Sequence, residues 1–242
     1  MRPTKKNTRA GSGKTPAAAI TDAESVTDRV ADAITSGIRA GTFVPGQHLP
    51  ESAITLRLGI SRGSLREALK HLAAAGIVTL NRFRGAYIST LDLRSTLDLL
   101  ETLEPLARLA ARLAAEHCDT NEKRRRMKAA ADAIDVAGRN RARAEYLERR
   151  RHFYDTLVEI GGNTELARVM PLSRTDLFRA QVERIQTERQ RALHLAGYSR
   201  IAAAVIARDP AAADRAVQRH FAGTRQTVAE LPADVFPSQR RR

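Results

Sequence analysis

Apolar residues recur every three or four positions along most of this chain, the spacing of one helix face. In "VTDRVADAITSGIRAG", Val26, Val30, Ala33, Ile34 and Ile38 predict a first helix, closed by Gly41. "FVPGQHLP" reads as a turn punctuated by Pro45-Gly46. In "PESAITLRLG", Pro50 suits a first helical position and Glu51 the positive end of the helix dipole. Ile54 and Leu58 then face inward, and Gly59 stops the helix. Ser61 is placed to cap a third helix whose buried stripe is Leu65, Leu69 and Leu72.

The polar face of that third helix changes the picture. Arg62, Arg66 and Lys70 stand four apart, beside Gly63 and Ser64. A solvated charged face would look like this, and so would a helix built for the major groove of DNA. The following residues favour the second reading. Two short β-type runs, Val78–Leu80 and Ala86–Ser89, flank "NRFRG", with Gly85 suited to a positive-φ turn. A two-stranded wing with Arg82 and Arg84 at its tip, following a helix-turn-helix, predicts a winged helix over residues 25–90.

From Leu91 the 3.6-residue period returns and does not lapse. About six helices follow, punctuated by Gly138, Gly161-Gly162 and Asp209-Pro210, with "TELARVMPLSRTDLFRAQVE" read as one of them. The expected fold is mainly α: a winged helix with a small β-wing, then an all-α bundle over 91–232. Residues 1–24 and 233–242 read as basic tails without periodicity.

Composition narrows the partners. A net charge of +14 points to a polyanion. No apolar run approaches membrane length, so a soluble, cytoplasmic protein is expected. The single cysteine, Cys118, excludes an internal disulfide; it reads as a small packed residue or a reactive thiol. "GSGKT" at the N-terminal end resembles part of a phosphate loop, but position 8 is threonine where that loop needs glycine. No nucleophile–base set, paired carboxylates or metal-ligand spacing is legible, so no enzyme activity is expected. His48, His71, His117 and His194 read as turn, surface or core residues.

The segment from Ala33 to Ile88, with its "LGISR..LREAL..L...GIV" core and wing glycine, resembles the DNA-binding domain of GntR-type bacterial transcription regulators. The resemblance implies that Arg62, Ser64 and Arg66 touch an operator, with Gly63 letting the backbone approach. With Lys70, Arg82, Arg84 and Gly85 they make the candidate DNA-binding set. Some members carry a further basic contact on the preceding helix, where this chain has Ser52. "HFYDTLVEIGGNTEL" and "SRIAAAVIARDPAAADRAVQRHF" resemble the FadR-type ligand-binding domain, which implies a helical cup for a small organic acid and a homodimer. A pseudo-palindromic double-stranded operator, and a repressor rather than an activator, follow as expectations. A non-specific basic DNA binder is the alternative.

Many relatives of that type hold a metal with one Asp and three His. Those positions fall here on Arg150, Tyr154, Tyr198 and His220, so no metal and no cofactor is expected. The four residues are instead the candidate effector set, Arg150 offering a fork of donors to an anion. The competing reading is an unused cup that they plug, with Arg150 paired to Glu145 or Glu148.

Overall fold

The computed structural model describes residues 26–182 and 185–237. The basic N-terminal segment with "GSGKT" and the last five residues lie outside them. Three helices form the first unit: α1 (Val26–Ala40), α2 (Glu51–Leu58) and α3 (Arg62–Ala74). They bury Val30, Ile34, Ile38, Ile54, Leu65, Leu69 and Leu72 in one core, as the periodicity requires. Ser61 caps α3 as expected, its Oγ accepting from the Ser64 N–H at 3.0 Å.

The wing strands are β2 (Val78–Asn81) and β3 (Gly85–Ile88). One strand was missed. His48–Leu49, expected as part of a turn, is β1, and it pairs antiparallel with β3 in the order β1-β3-β2. Two residues are too short for a period-2 signal; only the partner strand reveals them. Gly85 stands at φ 81°, and a side chain there would also press on the His48 ring of β1. Glycine is thus demanded by the wing's own geometry.

The second unit contains α4 (Leu93–His117), α5 (Asn121–Arg139), α6 (Arg143–Gly161), α7 (Thr164–Val169), α8 (Leu172–Val182), α9 (Glu188–Ile206) and α10 (Pro210–Glu230). The five long helices close a ring, α4 on α6, α6 on α5, α5 on α9, α9 on α10 and α10 on α4. Small residues permit the close approaches: a side chain at Gly138 of α5 would collide with Leu195 of α9. The stretch expected as one helix is two. Met170 is extended at ψ 118°, because Pro171 disfavours α geometry in the residue before it.

The short α8 that results belongs to both units. Its Leu177 (0% exposed) and Ala180 complete the core of the winged helix, while Thr175, Phe178 and Arg179 face the interior of the ring. Gln181 holds the inter-unit linker and the chain's end together: Leu91 N–H donates to its Oε1, and its Nε2 donates to the carbonyls of Leu91 and Val235. Residues 233–237, expected as loose tail, are folded, with a 3-10 turn at Ala233–Val235 and a buried Phe236. Val235 and Phe236 are too short an apolar run to carry a periodic signal beside the arginines that follow.

Candidate DNA interface and effector chamber

The αL residue Gly59 (φ 63°) turns the chain between α2 and α3. Leu65, Ala68, Leu69 and Leu72 anchor α3 in the core, so Arg62, Gly63 and Arg66 stand exposed on its other side. Neither Arg62 nor Arg66 makes an ion pair among the described residues, leaving both guanidinium forks open. Lys70 differs: its Nζ is 2.8 Å from Glu67 Oε1, so its charge is locally offset. Ser64 is half-buried, and its hydroxyl shares a hydrogen bond with Ser61. A side chain at Gly63 would meet only Ser61 Oγ at 3.6 Å, so the fold itself does not require glycine there.

At the wing tip Asn81 Oδ1 accepts from the Phe83 and Arg84 amides and shapes the turn. Arg82 and Arg84 are exposed on it. Phe83 between them is 88% exposed, with Arg82 Cζ 5.8 Å from its ring centre. In the sequence this aromatic stands alone among charges, with no periodic pattern to single it out.

The four effector candidates do come together. Arg150 Cζ lies 5.1 Å from the centre of the Tyr154 ring. The Tyr154 and Tyr198 rings are 6.3 Å apart, and Tyr198 and His220 4.6 Å. Burial holds the Tyr154 phenol well above its ordinary range, as it does that of nearby Tyr146.

Arg150 has an acid partner, and it is neither Glu145 nor Glu148. Glu145 lies 3.6 Å from Arg149, and Glu148 accepts from Arg39 Nε at 2.8 Å. Arg150 Nη1 instead donates to Asp176 Oδ1 at 3.2 Å, both side chains 3% exposed. Arg151 reaches the other oxygen at 3.6 Å, and Arg39 of α1 stands 4.0 Å from it. Asp176 of α8 is therefore hydrogen-bonded only through Oδ1, to Arg150, while its Oδ2 faces cations of both units at longer range. It went unnoticed in sequence because it lies 26 residues from Arg150 with no helical register to connect them.

Two further chamber residues were missed. His194, expected as an unremarked turn, surface or core residue, stacks 4.3 Å from His220 and has Nε2 3.1 Å from Tyr198 Oη. Arg179 Nη2 lies 3.4 Å from His194 Nδ1 and 3.5 Å from Thr224 Oγ1. A guanidinium only donates, so Nδ1 accepts and the His194 proton sits on Nε2, facing Tyr198. Burial, with Arg179 beside them, pushes both imidazoles well below their ordinary range.

The donor set does not suit a metal ion. Arg150 and Arg179 bring two fixed positive charges to this wall, and His194 and His220 are the imidazoles beside them. Among the described residues no three His, Cys, Asp or Glu side chains gather around one point. Cys118 is fully buried, which raises its thiol, so it is the packed residue rather than the reactive one. No described helix is long and apolar enough to cross a membrane.

The family model "Bacterial regulatory proteins, gntR family" matches residues 26–88, and the FCD domain model matches 98–223. A Bacillus subtilis protein named uncharacterized HTH-type transcriptional regulator YdhC is 24% identical over 130 residues, 54% of this chain and 58% of its own. HTH-type transcriptional regulator Mce2R of Mycobacterium tuberculosis is 36% identical over 80 residues, 33% of each chain. The aligned part thus spans less than two thirds of either relative. Among solved structures, E. coli McbR/YncC is similar in fold, with a TM-score of 0.73 at 17% identity, covering 85% of this chain and 98% of that one.

Proposed function

The chain belongs to the gntR family of bacterial regulatory proteins, with an FCD domain following its DNA-binding unit, and from that premise we propose that it is an effector-controlled transcription repressor. Arg62 and Arg66 read base edges or phosphates from α3, Gly63 and Ser64 bring the helix backbone close, and Lys70 adds a weaker contact. Arg82, Arg84 and Gly85 present the wing to the flanking duplex. A homodimer would place two such helices on a pseudo-palindromic operator.

The effector is a small organic molecule, a carboxylic acid by the chemistry of the chamber, held among Arg150, Tyr154, Tyr198 and His220. The observation that carries this reading is the position of Asp176, hydrogen-bonded by Arg150 in the chamber and 4.0 Å from Arg39 of the DNA-binding unit. A ligand that draws Arg150 away alters the charge balance of a contact between the units. Its different affinity for two arrangements of those units is what would change DNA binding.

Fluorescence anisotropy at physiological salt tests this. The probes are the promoter region of the protein's own gene and a scrambled duplex of equal length. Specific recognition gives a preference of about a thousandfold or more. Release by an organic acid, lost in Arg150→Ala, supports the effector site. Equal, salt-sensitive binding to random-sequence selections and the scrambled duplex would reduce the protein to a general DNA binder.

A further inference from the structure

The wing ends in an aromatic ring that the protein leaves bare. Asn81 and Gly85 are the last residues of β2 and β3 to pair, so Arg82, Phe83 and Arg84 make the turn and Phe83 is its outermost residue. At 88% exposure it is the barest of the large apolar residues described. The turn holds it there. Asn81 Oδ1 accepts from the Phe83 N–H at 3.1 Å and from the Arg84 N–H at 3.2 Å, and Gly85 supplies the left-handed φ of 81°. Below the tip, β3 is paired on both edges, and the His48 ring of β1 meets the Tyr87 ring at 5.1 Å. Phe83 is thus displayed on a braced ribbon, and little ordering remains to be done when it meets a partner.

A single exposed apolar side chain is ordinary on a protein surface. What sets Phe83 apart is its company. Arg82 and Arg84 flank it, both exposed, and among the described residues neither guanidinium has an acid partner. Arg82 Cζ stands 5.8 Å from the ring centre, so one of the two cations travels with the ring. Two open cations around an apolar ring suit a partner that is anionic outside and apolar within. Duplex DNA is built that way, with phosphates at the rim of each groove and stacked bases between them. A two-stranded ribbon fits the major groove, about 12 Å wide, but not the minor groove, about 6 Å wide. With α3 in the major groove, the wing lies beside it, and only the tip is narrow enough for the minor groove.

We propose that Phe83 is a wedge. Its ring enters the minor groove at the flank of the operator and opens one base step, while Arg82 and Arg84 hold the phosphates on either side. Opening a step costs least at flexible pyrimidine–purine steps such as TA and CA. The wedge therefore makes the flank sequence-dependent without a hydrogen bond to any base edge. This rests on the reading of α3 as the helix that docks in the major groove.

The test uses the full chain and duplexes selected with it from random-sequence DNA. The best of them carries aminopurine, a fluorescent base that brightens when unstacked, at successive flank positions. Wild-type protein should brighten one step. Phe83→Ala should abolish that signal and weaken binding by about tenfold or more, the scale of one lost base–aromatic contact. The slope of log affinity against log salt should stay as it was, because no phosphate contact is lost. Phe83→Leu keeps an apolar wedge and should recover much of the signal. Arg84→Ala should do the opposite of Phe83→Ala, lowering the salt slope by about one while the step still brightens. Without DNA, wild type and Phe83→Ala should melt alike and sediment alike. Equal DNA affinity in the two proteins, a loss that comes with a smaller salt slope, or no brightened step would overturn the wedge. So would a change in melting or in oligomeric state, which would assign the ring to the fold or to a contact between copies. In each of these cases a retained preference for the selected sequence leaves the α3 reading standing. A selection that enriches no sequence overturns that reading and the wedge with it.

Discussion

Asp176 shows how much one side chain decides. Its carboxylate is the acid partner of buried Arg150 and also faces Arg39 and Arg151. Burial raises its carboxyl, while those three arginines oppose the shift. Asp176→Asn keeps the shape but leaves Arg150 buried without a counter-charge, which should cost about 3–5 kcal/mol, read from urea unfolding at pH 7. A loss under about 1 kcal/mol would mean that water reaches Arg150. His194 and His220 give a second, pH-dependent prediction. Both sit well below the ordinary imidazole value of 6.5 in the folded protein. Below about pH 6.5 the unfolded chain therefore binds protons that the folded one refuses. Stability is fully present above that pH and falls beneath it, by about 1.4 kcal/mol per pH unit for each histidine. Urea midpoints at pH 7.5 and 5.5 should differ accordingly, and His194→Gln should remove part of the difference.

At the scale of elements, α8 carries what no other helix does. Leu177 and Ala180 pack into the winged helix, Asp176 meets α1 and α6, and Arg179 enters the chamber. Its residues are buried on nearly every side, so no apolar face stands out in its sequence. Leu177→Ala should cost about 2–5 kcal/mol, and the loss should appear in the core of the winged helix although residue 177 lies far beyond it in sequence. Amide exchange in α1 and α3 would register this directly; faster exchange confined to the second unit would contradict the shared core. By contrast α3 was legible in full. Ser61, the leucine stripe and Gly59 each act locally, and all did what their types and spacings indicate.

In the whole molecule the two units are joined by more than a linker. Arg39–Glu148 ties α1 to α6, Leu177 ties α8 into the core of the winged helix, and Gln181 fastens Leu91 and Val235. Melting one unit exposes surface the other buries, so calorimetry of the full chain should show one cooperative transition. Two well-separated transitions would show that the contacts across α8 contribute little.

The sequence alone determined the order of elements, the winged helix followed by a helical bundle, and the exposed arginines of α3 and the wing. Those follow from periodicity, caps and turns, interactions that act within a few residues. It also brought Arg150, Tyr154, Tyr198 and His220 into view as one group, through resemblance to a ligand-binding domain. Only the tertiary structure supplied β1, the division of α7 from α8, the contacts of Asp176 and the entry of His194 and Arg179 into the chamber. Each depends on residues far apart in the chain meeting across a packed interior. Which acid a buried arginine meets is set by how helices stack, and no local pattern encodes that.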